Sequence, residues 1–217
     1  MIVMNELTAG YEHQAVTRPL SGVIEPGSMT AIVGANGCGK STLLKTLAGF
    51  IPPVSGSFRW QGKRPVIGWL AQRHALETNF PITVQDAVSM GCWPRVSLLS
   101  GLRRDARLRV ARALERVGLE QMAQVTIDAL SGGQFQRMLF ARVLVQEAPL
   151  VMLDEPFTGV DEATCNALMA LMLEMYMQGQ TLLAVLHDSE RVSRHFPQTL
   201  RLDADSPCWK TERVRVA

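Results

Sequence analysis

No apolar run in this chain reaches the roughly 18 residues that a membrane-spanning helix needs, which excludes a helical integral membrane protein. The amino terminus, MIVMNELTAGY, also lacks a basic segment followed by an apolar stretch, so it does not read as a secretory signal. Charge of one sign is missing too. Lys and Arg number 22 against 20 Asp and Glu, for a net charge of +2. That balance leaves no concentrated basic stripe for nucleic acid. The densest basic run, Arg103 to Arg116, sets its arginines against Leu108, Ala111, Leu114 and Val117 at helical spacing, the pattern of a solvated helix face. The four cysteines (Cys38, Cys92, Cys165, Cys208) form no C-x-x-C pair, and the four histidines (His13, His74, His187, His195) are scattered. That spacing carries no sign of a disulfide framework or a zinc site, and a reduced, cytosolic compartment is expected. There is no internal repeat and no low-complexity linker.

What is present suffices for a buried core: 217 residues, 47% hydrophobic and 19% charged. Short strands are expected at residues 2 to 8 and about 20 to 25. Met29 to Val33 is an apolar run leading into a glycine-rich loop and a helix that stops near Gly49, where Pro52 and Pro53 forbid continuation. Phe58 to Gln61 and Pro65 to Ala71 read as a strand pair. A helical stretch follows from about Thr83 to Val145, broken at Gly91 to Pro94 and around Gly118. Leu150 to Leu153 and Thr181 to Leu186 then read as buried strands flanking a helix from Ala163 to Met177. Strand, helix and strand in that order imply a parallel sheet with right-handed crossovers. The expected fold class is α/β, with a catalytic core at about 1–72 and 149–217 and a helical subdomain inserted at about 73–148.

The segment Gly34, Ala35, Asn36, Gly37, Cys38, Gly39, Lys40, Ser41 fits G-x-x-x-x-G-K-[ST] at every fixed position. Glycines let backbone N–H groups curl inward around a phosphate, and the following helix points its positive end at the anion. Lys40 is then the partner of the β and γ phosphates, Ser41 a Mg²⁺ ligand, and Thr42 a further hydroxyl near the α phosphate. A chance match in a chain of this length has odds of about one in a hundred. The strand before the loop and the helix after it are the context that the motif requires.

Leu150 to Leu153 ends in Asp154 and Glu155. A carboxylate at the carboxyl end of a buried parallel strand lies where open α/β sheets place ligands, which suits Asp154 to Mg²⁺ and Glu155 to deprotonating an attacking water. His187 closes the run Leu182 to Leu186 and is expected at the same edge. Cys38, beside Lys40 and a helix N-terminus, stands where thiols are activated. Met169, Met172, Met175 and Met177 read as a buried methionine-rich helix rather than a ligand stripe.

Leu130, Ser131, Gly132, Gly133, Gln134, coming between the phosphate loop and the Asp154–Glu155 pair, resembles the signature of the ATP-binding cassette (ABC) transporter ATPases, and with these motifs in that order the resemblance covers nearly the whole chain. Ser131 can cap the helix that follows, and bare glycine N–H groups suit a phosphate. The resemblance implies a head-to-tail homodimer with ATP at the interface, in which Ser131 to Gln134 face the γ phosphate held by the other copy. It also implies roles for Tyr11 (stacking on adenine), Gln72 (sensing Mg²⁺ and touching a membrane partner), Asp161 (crossing the interface) and His187 (contacting the γ phosphate). Phe135 stands where the family often has a polar residue, and the tail from Asp203 lacks the glycine turn expected of a closing hairpin.

Asn79-Phe80-Pro81-Ile82-Thr83-Val84, Met90-Gly91 and Glu155 through Asp161 look most like cassettes that serve zinc and manganese importers. That likeness implies permease subunits docked on the helical subdomain, a peripheral position on the cytoplasmic face of the inner membrane, and an indirect link to an extracytoplasmic metal-binding protein. Cassettes for another cargo, such as an iron chelate, or soluble cassettes outside transport are the alternatives.

Overall fold

A computed structural model describes residues 2–71, 81–95, 104–202 and 208–211. The chain divides into two compact units, one of residues 1–67, 149–155 and 175–217, the other of residues 68–148 and 156–174.

The first unit carries two main sheets. β1 (Ile2–Thr8) pairs antiparallel with both β4 (Leu20–Ile24) and β6 (Ser55–Trp60), in the order β4-β1-β6. Phe58 to Gln61 therefore finds its partner in the amino-terminal strand. The expected pairing with Pro65 to Ala71 is not formed, and β7 (Ile67–Leu70) belongs to another sheet. Between β1 and β4 a two-residue hairpin joins β2 (Gly10–Tyr11) to β3 (Gln14–Ala15).

The parallel sheet of this unit runs β11-β10-β5-β9-β8, comprising β5 (Met29–Val33), β8 (Leu150–Asp154), β9 (Thr181–Val185), β10 (Gln198–Arg201) and β11 (Cys208–Thr211). All neighbours are parallel except β11, which pairs antiparallel with β10 although the expected glycine is missing from the sequence between them. Every residue of β8 and β9 is buried, which is why both read as unbroken apolar runs. Helix α1 (Lys40–Leu47) packs on β8 and β9. It ends where Gly49 N–H donates to Thr46 O and Phe50 N–H to Lys45 O, with Gly49 at φ 75°, a paired carbonyl-capping arrangement that needs glycine at that point.

The second unit holds most of the helices: α2 (Val84–Ser89), α3 (Arg104–Arg116), α4 (Gly132–Leu144) and most of α5 (Glu162–Met177). Short 3₁₀ turns at Met90–Arg95, Glu120–Met122 and Ile127–Ala129 interrupt it, so the expected breaks at Gly91 and Gly118 are present. Ala106, Val110, Ala113 and Leu114 bury the inner face of α3, with Arg104, Arg107, Arg112 and Arg116 exposed and Arg109 half-buried; Arg109 pairs with Asp105 and Arg116 with Glu174. Phe135 is buried in α4 and serves the packing of this unit. In α5, Met169, Met172 and Met175 are buried, whereas Met177, at the helix end, is 77% exposed and departs from the buried stripe. A last helix, α6 (Ser189–His195), belongs to the first unit and was not anticipated, its seven residues being too few for a periodic signal. Among the described residues no helix is long and apolar enough to cross a membrane.

Candidate active site

Strand register brings the sequence-predicted residues to one edge. Val185 of β9 stands opposite Ile32 of β5 on one side and Asp154 of β8 on the other, so the three strands end in a common row. The phosphate loop leaves β5 two residues beyond that row, Glu155 leaves β8 one residue beyond, and His187 follows β9 two residues beyond.

The loop wraps its own lysine. Lys40, largely buried, donates from Nζ to the carbonyls of Gly34 (3.0 Å) and Ala35 (2.8 Å). Gly37 and Gly39 take φ of 80° and 93°, which L side chains resist, and α1 begins directly after Gly39. A Cβ on Gly34 would lie 2.4 Å from Leu202 O, and the Cys38 sulfur lies 2.8 Å from the same point. Asn36 and Gly37 are exposed, Cys38 half-buried, and Thr42 buried in the first turn of α1. Cys38, Cys92 and Cys165 form no disulfide, and burial pushes the Cys92 thiol up.

Beside the loop, the Ser41 hydroxyl donates to Asp154 Oδ1 at 2.7 Å. Asp154 is 1% exposed; burial pushes its carboxyl above the usual carboxylate range, and the Ser41 bond pulls the other way. A hydroxyl and a carboxylate in contact are hard oxygen donors suited to Mg²⁺, which retains waters and phosphate oxygens for its other positions. The described residues contain no group of three or more His, Cys, Asp or Glu side chains able to hold a metal ion. The donor set fits a Mg²⁺ bound together with phosphates better than an all-protein metal cage.

Glu155 sits at φ 52°, a left-handed conformation unusual for a non-glycine residue. Its Oε1 lies 2.9 Å from His187 Nε2, the carboxylate side chain 17% exposed and the imidazole 42%. A cleft of about 460 Å³ opens next to this pair, lined by Gly34, Ala35, His187, Ser193 and Arg201 among others. The arrangement can do two things: neutralise phosphates with Lys40 and the loop N–H groups, and take a proton at Glu155.

Tyr11, 46% exposed, stands on the β2–β3 hairpin, whose central residues Glu12 and His13 both have positive φ (47° and 67°). Gly10 is required there, since a Cβ would fall 1.9 Å from Gln14 O.

In the second unit, Ser131 N-caps α4 in a capping box. Gln134 N–H donates to Ser131 Oγ (3.3 Å), and Ser131 N–H donates to Gln134 Oε1 (2.9 Å), so the glutamine carbonyl is engaged locally. Asp161 accepts from Thr164 N–H and Thr164 Oγ1, both at 2.9 Å, bonds that hold its carboxyl below the usual range. Gly132 opens α4, and a Cβ on Gly133 would come within 3.3 Å of Asp161 Oδ2 and 3.2 Å of Thr164 Oγ1. Within this unit the signature segment and Asp161 are thus neighbours. Gln72 lies outside the described residues, as do His74, Asn79 and Phe80. Thr164 and Gly10 escaped the sequence reading, although Asp-x-x-Thr at a helix start and a glycine before a tight turn are legible signals.

Comparison with known proteins agrees with this geometry. The ABC transporter family model matches residues 17–158. The chain is 40% identical over 209 residues to the zinc transport system ATP-binding protein TroB of Treponema pallidum, covering 93% of this chain and 78% of the relative. It is 37% identical over 206 residues to the manganese transport system ATP-binding protein MntB of Bacillus subtilis, covering 93% and 82%. Among solved structures, an inward-facing metal-chelate type ABC transporter superposes with a TM-score of 0.86 at 27% identity, over 100% of this chain and 84% of that one. A dimeric bacterial ABC transporter cassette shares the fold at a TM-score of 0.84 and 24% identity, over 98% and 99% of the two chains. The family match over more than half the chain agrees with the phosphate loop, the Ser41–Asp154 contact and the Glu155–His187 pair: the chain belongs to the ABC transporter family and is an ATP-binding and ATP-hydrolysing cassette of it.

Proposed function

We propose that the chain energises an importer for a divalent transition metal, zinc or manganese. It would work as a head-to-tail homodimer on the cytoplasmic face of the membrane, with permease subunits on the helical insertion at about 73–148 and an extracytoplasmic metal-binding protein delivering cargo. The cargo reading rests on relatives matched over 93% of this chain and named for manganese and zinc transport. The catalytic reading rests on one observation, the 2.9 Å contact between Glu155 and His187 immediately after Asp154.

In this reading Tyr11 stacks on adenine, while Lys40 and the N–H groups of Gly34, Asn36, Gly37, Cys38 and Gly39 hold the phosphates, Thr42 adding a hydroxyl. Ser41, Asp154 and Gln72 hold Mg²⁺, which when bound supplies charge neutralisation for the phosphates. Glu155 orients and deprotonates the attacking water, and His187 steadies its carboxylate and reaches the γ phosphate. Ser131, Gly132, Gly133, Gln134 and Asp161 complete the site of the opposite copy. ATP closes the dimer, closure moves the permease, and hydrolysis resets it.

The experiment is reconstitution of this chain with the multi-span permease that co-purifies with it, in vesicles loaded with ATP. Uptake of labelled manganese or zinc, absent with Glu155→Gln, is the expected result. Uptake of an iron chelate in place of either ion, or ATP turnover with no membrane partner to be found, would replace this reading with one of its rivals.

A further inference from the structure

Gln136 lies two residues beyond the signature segment, and none of the roles described above uses it. It is 2% exposed, on a stretch of α4 where Phe135, Met138, Leu139 and Phe140 are also buried. A carboxamide at such a position is costly unless its polar atoms are paired. Only half of it is. The Nε2 amide donates to the carbonyl of Pro156 at 2.7 Å, twenty residues along the chain, while the buried Oε1 accepts no hydrogen bond from the described residues. Methionine or leucine would fill the same space without an orphaned oxygen, so packing alone does not account for glutamine here.

The bond acts on a particular segment. Pro156 is joined by a peptide bond to Glu155, whose left-handed φ is a conformation that surrounding structure must enforce. At its other end, the stretch from Pro156 to Asp161 meets α4 again, where Gly133 approaches Asp161 and Thr164 so closely that a Cβ would stand 3.3 and 3.2 Å from their oxygens. The loop after Glu155 is therefore hydrogen-bonded to α4 at its start, by the Gln136 amide, and closely packed on α4 at its end, against Gly133.

We propose that Gln136 is a positioning residue for ATP turnover: by holding the Pro156 carbonyl, it fixes the backbone from which the Glu155 carboxylate projects. It ties the helix that begins with the signature segment to the chain that carries the base. This inference rests on the assignment of Glu155 as the base.

The test compares the full-length wild type with Gln136→Met and Gln136→His, reading kcat and KM for ATP by phosphate release and Tm by circular dichroism. Methionine matches the length of glutamine but cannot donate. In the histidine variant Nε2–H stands the same number of bonds from Cα as the glutamine Nε2, so the donor is kept. For Gln136→Met the expected result is a fall in kcat of about tenfold with KM within about twofold, the mark of a misplaced group rather than lost binding. Its Tm should stay near that of wild type, because one buried acceptor is unpaired in either case: Gln136 Oε1 in the wild type, Pro156 O in the variant. Gln136→His should keep at least about half of the wild-type kcat.

Wild-type turnover in Gln136→Met overturns the proposal. A collapse of Tm in that variant does so too, since Gln136 would then be structural, and so does a histidine variant that stays folded yet loses as much kcat as the methionine. Failure of the underlying assignment gives a different signature, in which Glu155→Gln itself leaves kcat unchanged.

Discussion

Replacing Glu155 by glutamine separates the role proposed for it, as base, from the hydrogen bond it makes. The amide has the shape of the carboxylate, and its oxygen can still accept from His187 Nε2, so the 2.9 Å contact and the fold around it should persist. What is lost is the capacity to take a proton. General-base catalysis contributes about 10²- to 10⁴-fold, or about 3 to 5 kcal/mol of barrier. Turnover should fall by that factor while ATP affinity is retained, and ATP should then hold the protein as a dimer. His187→Ala removes the other half of the pair. A hydrogen bond to a charged group is worth about 1.5 to 3 kcal/mol, so kcat should drop about ten- to a hundredfold. If the imidazole acts mainly by steadying the carboxylate, its removal from the Glu155→Gln protein should cost less than about threefold more, since residues acting as a unit are not additive. Phosphate release from the four proteins, with size-exclusion chromatography in ATP, measures all of this. Turnover above a tenth of wild type in Glu155→Gln, or full additivity in the double variant, would refute the reasoning.

Asp154→Asn should raise Tm at neutral pH while abolishing turnover. The native state holds a proton on Asp154 more readily than the unfolded chain does, so this residue's contribution to stability falls as pH rises from the ordinary carboxylate range through the raised native value. The gain from asparagine should accordingly vanish in acid, and thermal melts at several pH values check it. Gly10→Ala should weaken ATP binding at least about tenfold by forcing apart the hairpin that presents Tyr11, a change read as KM with kcat little altered. Alkylation of Cys38 should block turnover and bound ATP should protect; a thiol labelled to completion in a fully active protein would dismiss the idea.

The α/β class, the buried strands β5, β8 and β9 and the long helices were legible because each is a long apolar or periodic run whose period does not depend on distant partners. The phosphate loop, Asp154, Glu155 and His187 were legible because their spacing from strand ends is local. Strand pairing was not: Phe58 to Gln61 reads equally well against any neighbour, and its true partner β1 lies some fifty residues earlier. α6 was missed because seven residues hold too little pattern, although Asp188, which accepts from Glu190 N–H and Arg191 N–H at 3.0 Å, marks its start as an N-cap. Thr164 bonds locally to Asp161 and was legible as Asp-x-x-Thr at a helix start, whereas Gln136 acts through a tertiary contact. The one hint of Gln136 in the sequence is a polar residue in the buried stripe of a helix.

The left-handed backbone at Glu155 has a consequence for how two neighbouring carboxylates share one edge of the sheet. In an unbroken strand, successive side chains point to opposite faces. Asp154 ends β8 and Glu155 would have faced away from it, yet one touches Ser41 and the other His187. Reversing φ at the first residue past the strand breaks the alternation, so adjacent positions are free to take the two separate roles proposed for them. Such a conformation costs about 1 to 2 kcal/mol for an L-residue. Glycine at 155 would relax that strain and leave a sturdier protein without the proposed base, so on that proposal stability and turnover favour different amino acids at this position.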